Sequence, residues 1–294
     1  MIDLAFHIIT GALTGLLFAL ISMGFVIIYR SARVFNLAQG EVVMVGAFLL
    51  WTASQHWNWP IWLSVVFALT ASMILGLLIE RIILRPLIGE DLFALIMVTI
   101  GLMVFVRGFA LVIWGGSIHF IPPIFPFAGF KLGPFILDRG LVIGGITTII
   151  LAVLVSWFFS RTRTGMAMSA VAEDHQIALS LGLSVKRSIA AAWAVSGALC
   201  TAVAIFFLSG KGMSFLVSDI GLAALPVAIL AGLESISGLV LAGLIIGVSI
   251  GVAEYLLDPI FQGGVASIFP YVIMLIVLLI RPSGLFGWKT IERI

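Results

Sequence analysis

Charged side chains are what this sequence has least of. Only 10% of its 294 residues are Asp, Glu, Lys or Arg, against about 25% in an ordinary soluble domain. A soluble globular fold is thereby excluded. Cysteine is nearly absent too: Cys200 is single, so no intrachain disulfide forms and the compartment is not legible from it. The pattern GxxxxGK[ST] does not occur, which excludes nucleotide binding through a phosphate-cradling loop. His7, His56, His119 and His175 are scattered, without HExxH or cysteines at metal spacing. No histidine lies mid-span beside Ser196 or Ser237, as a hydrolase buried in a membrane would need. The formal net charge of +2 is spread along the chain and gives no footprint for nucleic acid. Neither an enzyme nor a cofactor site is indicated.

What the chain has instead is apolar length. It is 62% hydrophobic, with a mean hydropathy of +1.29. The fold expected is all-α: a polytopic integral membrane helix bundle of about 8–10 transmembrane helices, formed by residues 1–294 as a single domain. Crossing about 30 Å of hydrocarbon takes about 20 helical residues. That length places spans near Phe6–Ile28, Val34–Ala53, Ile61–Ile79, Leu92–Val112, Leu141–Phe159, Ile189–Leu208, Met213–Leu230, Ile236–Glu254 and Val265–Ile280. The first is no signal peptide, because Asp3 replaces a basic n-region and the apolar run is too long.

Positive residues set the orientation. With the N-terminus outside, the inner segments hold Arg30, Arg33, Arg81, Arg85, Arg161, Arg163, Lys186, Arg187, Arg281, Lys289 and Arg293; the outer ones hold only Lys131, Arg139 and Lys211. Arg107 lies inside the fourth span near its outer end. The C-terminus is then cytoplasmic. Trp51, Trp57, Trp59 and Trp62 form an interfacial belt at the outer end. Ser117–Pro134, rich in Pro, Gly and Phe, is an irregular outer loop; docking lip and plain connector fit it equally.

Two spans are broken. The clean apolar part of the second, Val42–Ala53, reaches only about 18 Å as a helix. Crossing draws Asn36, Gln39, Gly40 and Glu41 into or near the membrane. Either these residues line a wet pathway, or they form the cytoplasmic turn after Arg33 with Glu41 near a helix N-terminus. Later, Pro226 interrupts an apolar helix, and Gly232, Glu234 and Gly238 break the next join. Glu234 fits a pathway and a helix end equally well. Gly243, Gly247 and Gly251, four apart, suit close helix packing.

The long polar stretch Arg161–Arg187 faces the cytoplasm in this orientation. Asp174 is placed to cap a short helix from His175 to Leu181, with Gly182 as its left-handed terminus. Ile177 and Leu181 would share one face as an apolar knob for a partner.

Several blocks carry a family resemblance over nearly the whole chain. Tyr29, Asn36, Ala38, Gln39, Gly40, Glu41, Met44, Gly46 and Ala47 resemble the opening of LivH-type permeases, the membrane subunits of ABC importers for branched-chain amino acids; Leu37 replaces the usual Phe. The loop 160–188 resembles that family's coupling segment, through Arg163, Gly165, Ala170, Ala178 and Leu181-Gly182-Leu183. Gly232–Gly238 is similar to its Gly-rich break, with Ser237 in place of a Pro, and Leu279–Gly287 to its C-terminal motif. The resemblance implies an ABC-importer permease in the bacterial inner membrane. It implies a second, LivM-like permease, two ATP-binding subunits that hold ATP and Mg, and a periplasmic substrate-binding protein. Asn36, Gln39, Gly40, Glu41, Pro226, Gly232, Glu234 and Gly238 would line the substrate pathway. Arg163, Gly165, Glu173, Asp174, Ile177, Ala178, Leu181 and Gly182 would couple to the ATPases. An ion-coupled secondary transporter using Glu41 or Glu234 stands as the alternative, as does a relative carrying urea or a small organic acid.

Overall fold

The computed structural model describes residues 2–87, 89–125, 129–173, 184–261 and 263–287. Its axis is α1 (Ile2–Ala32), apolar on all sides and buried along most of its length. A helix without a polar face gains nothing from the periphery and goes to the centre. Around it follow α2 (Gln39–Trp51), continued by a π turn over Thr52–His56, then α3 (Ile61–Ile79), α4 (Leu92–Trp114), α5 (Arg139–Arg161), α6 (Arg163–Glu173) and α7 (Val185–Leu208). A 3-10 turn over Phe215–Ser218 leads into α8 (Asp219–Ala231), followed by α9 (Ile236–Leu256), the short α10 (Asp258–Phe261) and α11 (Val265–Ile280).

Among the described residues, six helices have spanning length and composition. The stretches Phe215–Ala231 and Val265–Ile280 are apolar but shorter, and α2 has 13 residues. Helix therefore occupies all nine expected stretches. The second begins at Gln39 instead of Val34, because residues 34–38 are non-helical. The seventh enters through a 3-10 turn.

Small residues let the central helices touch backbone to backbone. A Cβ on Gly247 would lie 2.2 Å from the Gly11 carbonyl oxygen, and one on Gly15 would lie 2.0 Å from that of Gly243. The glycine triplet of α9 thus packs on α1, as its spacing predicts.

One end of the bundle carries Trp57, Trp59 and Trp114. There β1 (His119–Phe120) pairs antiparallel with β4 (Gly212–Met213), while β2 (Phe130–Leu132) and β3 (Phe135–Leu137) form a hairpin. Lys211 pairs with Asp138 at 3.1 Å, fixing this ribbon to the start of α5. The loop expected to be irregular is pinned by these short strands. The opposite end carries Arg30 and Arg33.

Candidate functional site

Two helices begin inside the bundle, not at its ends. α2 starts at Gln39 after the break that follows Arg33, and α8 starts at Asp219 after the 3-10 turn. Their first turns meet. A Cβ on Gly40 would lie 1.9 Å from the Ser218 carbonyl oxygen, and one on Gly221 would lie 2.3 Å from Gly40 Cα. Each first turn carries an acid, Glu41 and Asp219, where the helix dipole favours negative charge.

Arg107 of α4 joins the two. Its Nη2 lies 3.0 Å from Glu41 Oε1, 2.9 Å from Asp219 Oδ1 and 2.6 Å from Ser218 Oγ, sharing its two hydrogens among them, and its Nε lies 3.3 Å from Glu41 Oε1. The Ser218 hydroxyl in turn donates to the Phe215 carbonyl at 2.9 Å. Glu41 is 1% exposed. An unpaired carboxylate at the centre of a span costs about 2.5–3.5 kcal/mol on insertion scales, which the guanidinium offsets. From Arg107 to Trp114 is about 10 Å of helix, so the cluster lies beside the last third of α4. Of the two sequence readings of Glu41, the structure combines parts of both: it is in a helix's first turn, and that turn is enclosed by protein.

Beside this cluster the break itself is held by buried amides. Asn36 Nδ2 donates to Gln39 Oε1 at 3.0 Å, and its Oδ1 accepts from the Ala38 N–H at 3.1 Å. Gln39 Nε2 donates to Ser196 Oγ at 2.7 Å and to Cys200 Sγ at 3.0 Å on α7. These bonds satisfy polar groups that water does not reach.

The remaining candidate pathway residues lie elsewhere. Pro226 is buried within α8, where Ser22 of α1 donates to the nearby Ala224 carbonyl at 2.8 Å. Gly232 ends α8 at φ 82°, a left-handed value that suits glycine. The C-terminal segment closes over this turn: Leu285 N–H donates to the Leu230 carbonyl at 2.8 Å, and Phe286 packs on Gly238. Glu234 pairs with Arg33. From Asp219 to Gly232 is about 20 Å of helix. The eight residues accordingly form two clusters at the two ends of α8, with Pro226 between them, and not one site.

The polar stretch begins with a helix that was not foreseen, α6. Met168, Val171 and Ala172 are buried on its inner face. Their i, i+3, i+4 spacing was the available signal. Thr162 Oγ1 accepts from the Gly165 N–H at 3.0 Å, and a Cβ on Gly165 would meet the Phe158 carbonyl oxygen at 2.2 Å. Gly165 thus permits the tight turn from α5, Arg163 is exposed and Glu173 ends the helix. Asp174, Ile177, Ala178, Leu181 and Gly182, with the expected helix from His175 to Leu181, lie outside the described residues. Arg30 of α1 donates to Ser169 of α6 at 3.2 Å and lies 4.6 Å from the centre of the Phe159 ring.

Sequence reasoning missed three partners: Arg107 for Glu41, Asp219 beside both, and Arg33 for Glu234. A single basic residue within one span and a carboxylate within another was the signal for the first pair. Among the described residues, no group of three or more His, Cys, Asp or Glu is placed to hold a metal ion.

A family profile described as branched-chain amino acid transport system / permease component matches residues 7–278. The high-affinity branched-chain amino acid transport system permease protein BraD of Pseudomonas aeruginosa is 28% identical, over 98% of this chain and 97% of its own. LivH of Escherichia coli K12, which has the same descriptive name, is 24% identical over 97% and 96%. A probable LivH of Methanocaldococcus jannaschii is 26% identical over 95% and 91%. Among solved structures, a chain of PsaBC from Streptococcus pneumoniae in complex with Fab overlaps 93% of this chain and 91% of its own, at TM-score 0.49 and 12% identity. A likeness at that level decides nothing about function.

Proposed function

Because the chain belongs to the family of permease components of branched-chain amino acid transport systems, we propose that it forms half of the membrane pathway of an importer for branched-chain or related amino acids. It is a multi-pass membrane protein and a transport subunit, not an enzyme. The proposed assembly sits in the bacterial inner membrane, with the N-terminus periplasmic and the C-terminus cytoplasmic, as the distribution of basic residues favours. A LivM-like permease stands beside it. Two ATP-binding subunits hold ATP and Mg and dock on the loop 160–188, and a periplasmic binding protein delivers the solute.

The observation that carries this reading is the Glu41–Arg107–Asp219 cluster, where two helices start among apolar helices of spanning length. Irregular backbone and charge within a membrane are tolerated where they face protein or a water-filled path. The position of α6 supports the coupling role. It packs on α5, α1 and α7, so a push on the loop reaches the central helix through Arg30 and Ser169. The same end of that helix is tied to the α8–α9 turn by Arg33 and Glu234.

The test is uptake of radiolabelled leucine by vesicles holding the full assembly. Uptake is expected only with ATP and the binding protein present. Ile177→Asp combined with Leu181→Asp is expected to abolish it at an unchanged amount of protein in the membrane. Uptake by this chain alone under a Na⁺ or H⁺ gradient would overturn the proposal.

A further inference from the structure

A groove opens on the side of the bundle between the last half of α5 and the start of α9. It holds about 490 Å³, within the range of about 300–1,000 Å³ in which small molecules are bound. One wall is a single face of α5, running from Ile149 through Val153 and Trp157 to Arg161, one turn apart. The other wall includes Ser237 and Leu241 of α9. Polarity is sorted along its length. Arg161 and Ser237 sit where the two helices end and begin, whereas Val153 and Leu241, deeper in the span, are apolar and 64% and 48% exposed. Arg161 is exposed and has no ion pair among the described residues. None of the residues lining the groove is a carboxylate, and Glu234, three residues before Ser237, is taken by Arg33. The wall stops at Ile149, near the midpoint of α5 (Arg139–Arg161). Its length is about 18 Å of helix, close to the roughly 15 Å of one leaflet, half of the hydrocarbon thickness.

An unpaired guanidinium beside a hydroxyl is complementary to an anionic oxygen group, and an open apolar trough in a membrane protein is complementary to hydrocarbon. One kind of molecule supplies both in that order along one leaflet: a phospholipid with a negatively charged head. A spanning helix of another chain would need the groove to continue past the midpoint of α5, and a free phosphate would leave the apolar part uncovered. Trp157, 59% exposed and one turn before Arg161, has the amphipathic ring that settles at the level of lipid headgroups. Resting only on the multi-pass character of the chain, and not on which solute it carries, we propose that this groove seats one anionic phospholipid of the adjoining leaflet. Its phosphate lies against Arg161 and Ser237, and an acyl chain runs past Leu241 and Val153 towards Ile149.

The test is native mass spectrometry of the full chain, purified in detergent with the subunits that accompany it, stripped of lipid and titrated with phosphatidylglycerol or phosphatidylcholine of identical acyl chains. Phosphatidylglycerol is expected to bind at least about fivefold more tightly, the effect of one basic residue beside an anionic headgroup. Arg161→Gln is expected to remove that preference and Arg161→Lys to keep part of it. Arg81→Gln, which removes an exposed arginine outside the groove, is expected to change the preference by less than about twofold. Leu241→Trp, which fills the apolar part, is expected to weaken both lipids, and glycerol 3-phosphate, a head without chains, is expected not to compete. Equal binding of the two lipids by the wild type, a preference that survives Arg161→Gln, an equal loss in Arg81→Gln, or competition by glycerol 3-phosphate would each overturn the assignment. If Arg161→Gln does not fold, Leu241→Trp is read in its place, and lipid binding unchanged by it overturns the assignment. A photocrosslinking residue in place of Leu241 that captures a companion subunit instead of lipid would also overturn it, and would mark the groove as a protein interface.

Discussion

Arg107 is the residue on which the centre of the molecule is balanced. Its side chain is 30% exposed, yet it neutralises a carboxylate that is almost wholly enclosed. Removing one partner of a buried ion pair leaves the other uncompensated, at a cost of about 3–5 kcal/mol. Arg107→Met is therefore expected to lower the melting temperature of the purified protein markedly, and Glu41→Gln to lower it less. The double variant should fall short of the sum of the two losses by about 0.5–3 kcal/mol, the coupling of groups in direct contact. Additive losses in the thermal melts would mean that the two side chains act independently.

At the level of elements, the bundle depends on helices that approach more closely than side chains allow. The crossing of α1 and α9 has glycine on both sides, so any Cβ there displaces a backbone. Gly247→Val places its first carbon 2.2 Å from the Gly11 carbonyl oxygen. It is expected to force the helices apart and abolish the monodisperse peak in size-exclusion chromatography. Gly101 on α4 is the contrasting case, since a Cβ there meets nothing within 4 Å. Gly101→Ala is expected to leave the peak unchanged and to gain up to about 1 kcal/mol from helix propensity. If both variants behave alike, close packing is not what holds α1 and α9 together.

Across the whole molecule, the two ends of α8 are linked to different neighbours. Its start is held by α2 and α4 through Arg107, and its end by α1 through the Arg33–Glu234 pair and by the C-terminal segment through Gly232. Movement of α1 relative to α8 must then load the Arg33–Glu234 attachment. Reversing one charge, as in Glu234→Arg, should lower ATP-driven uptake by about tenfold, the rate equivalent of about 1.4 kcal/mol on the barrier. Adding Arg33→Glu should restore part of the loss. Vesicle uptake unaffected by the single reversal would remove this pair from the transmission route.

The multi-pass helical character of the chain was legible from composition and run length alone. Apolar stretches of spanning length force helices, because backbone polar groups in hydrocarbon must be satisfied within the segment, and glycines at four-residue spacing foretell a close crossing. An interruption before Val42 was legible too, since Val42–Ala53 is too short to cross, although the non-helical residues are 34–38 and Gln39–Glu41 are helical. Which side chains answer one another was not. Glu41, Arg107 and Asp219 lie on three separate elements, and nothing in their sequence spacing brings them together; the meeting of Gly40 with Gly221 does. Likewise α6 passed as loop, because its inner face is only Met168, Val171 and Ala172, too narrow a stripe to stand out without the neighbouring helices that bury it. Local sequence fixes how long a helix is and where it stops, since both depend on the chain's own backbone and solvent. Pairing of charges across helices depends on distances that arise only once the helices have packed.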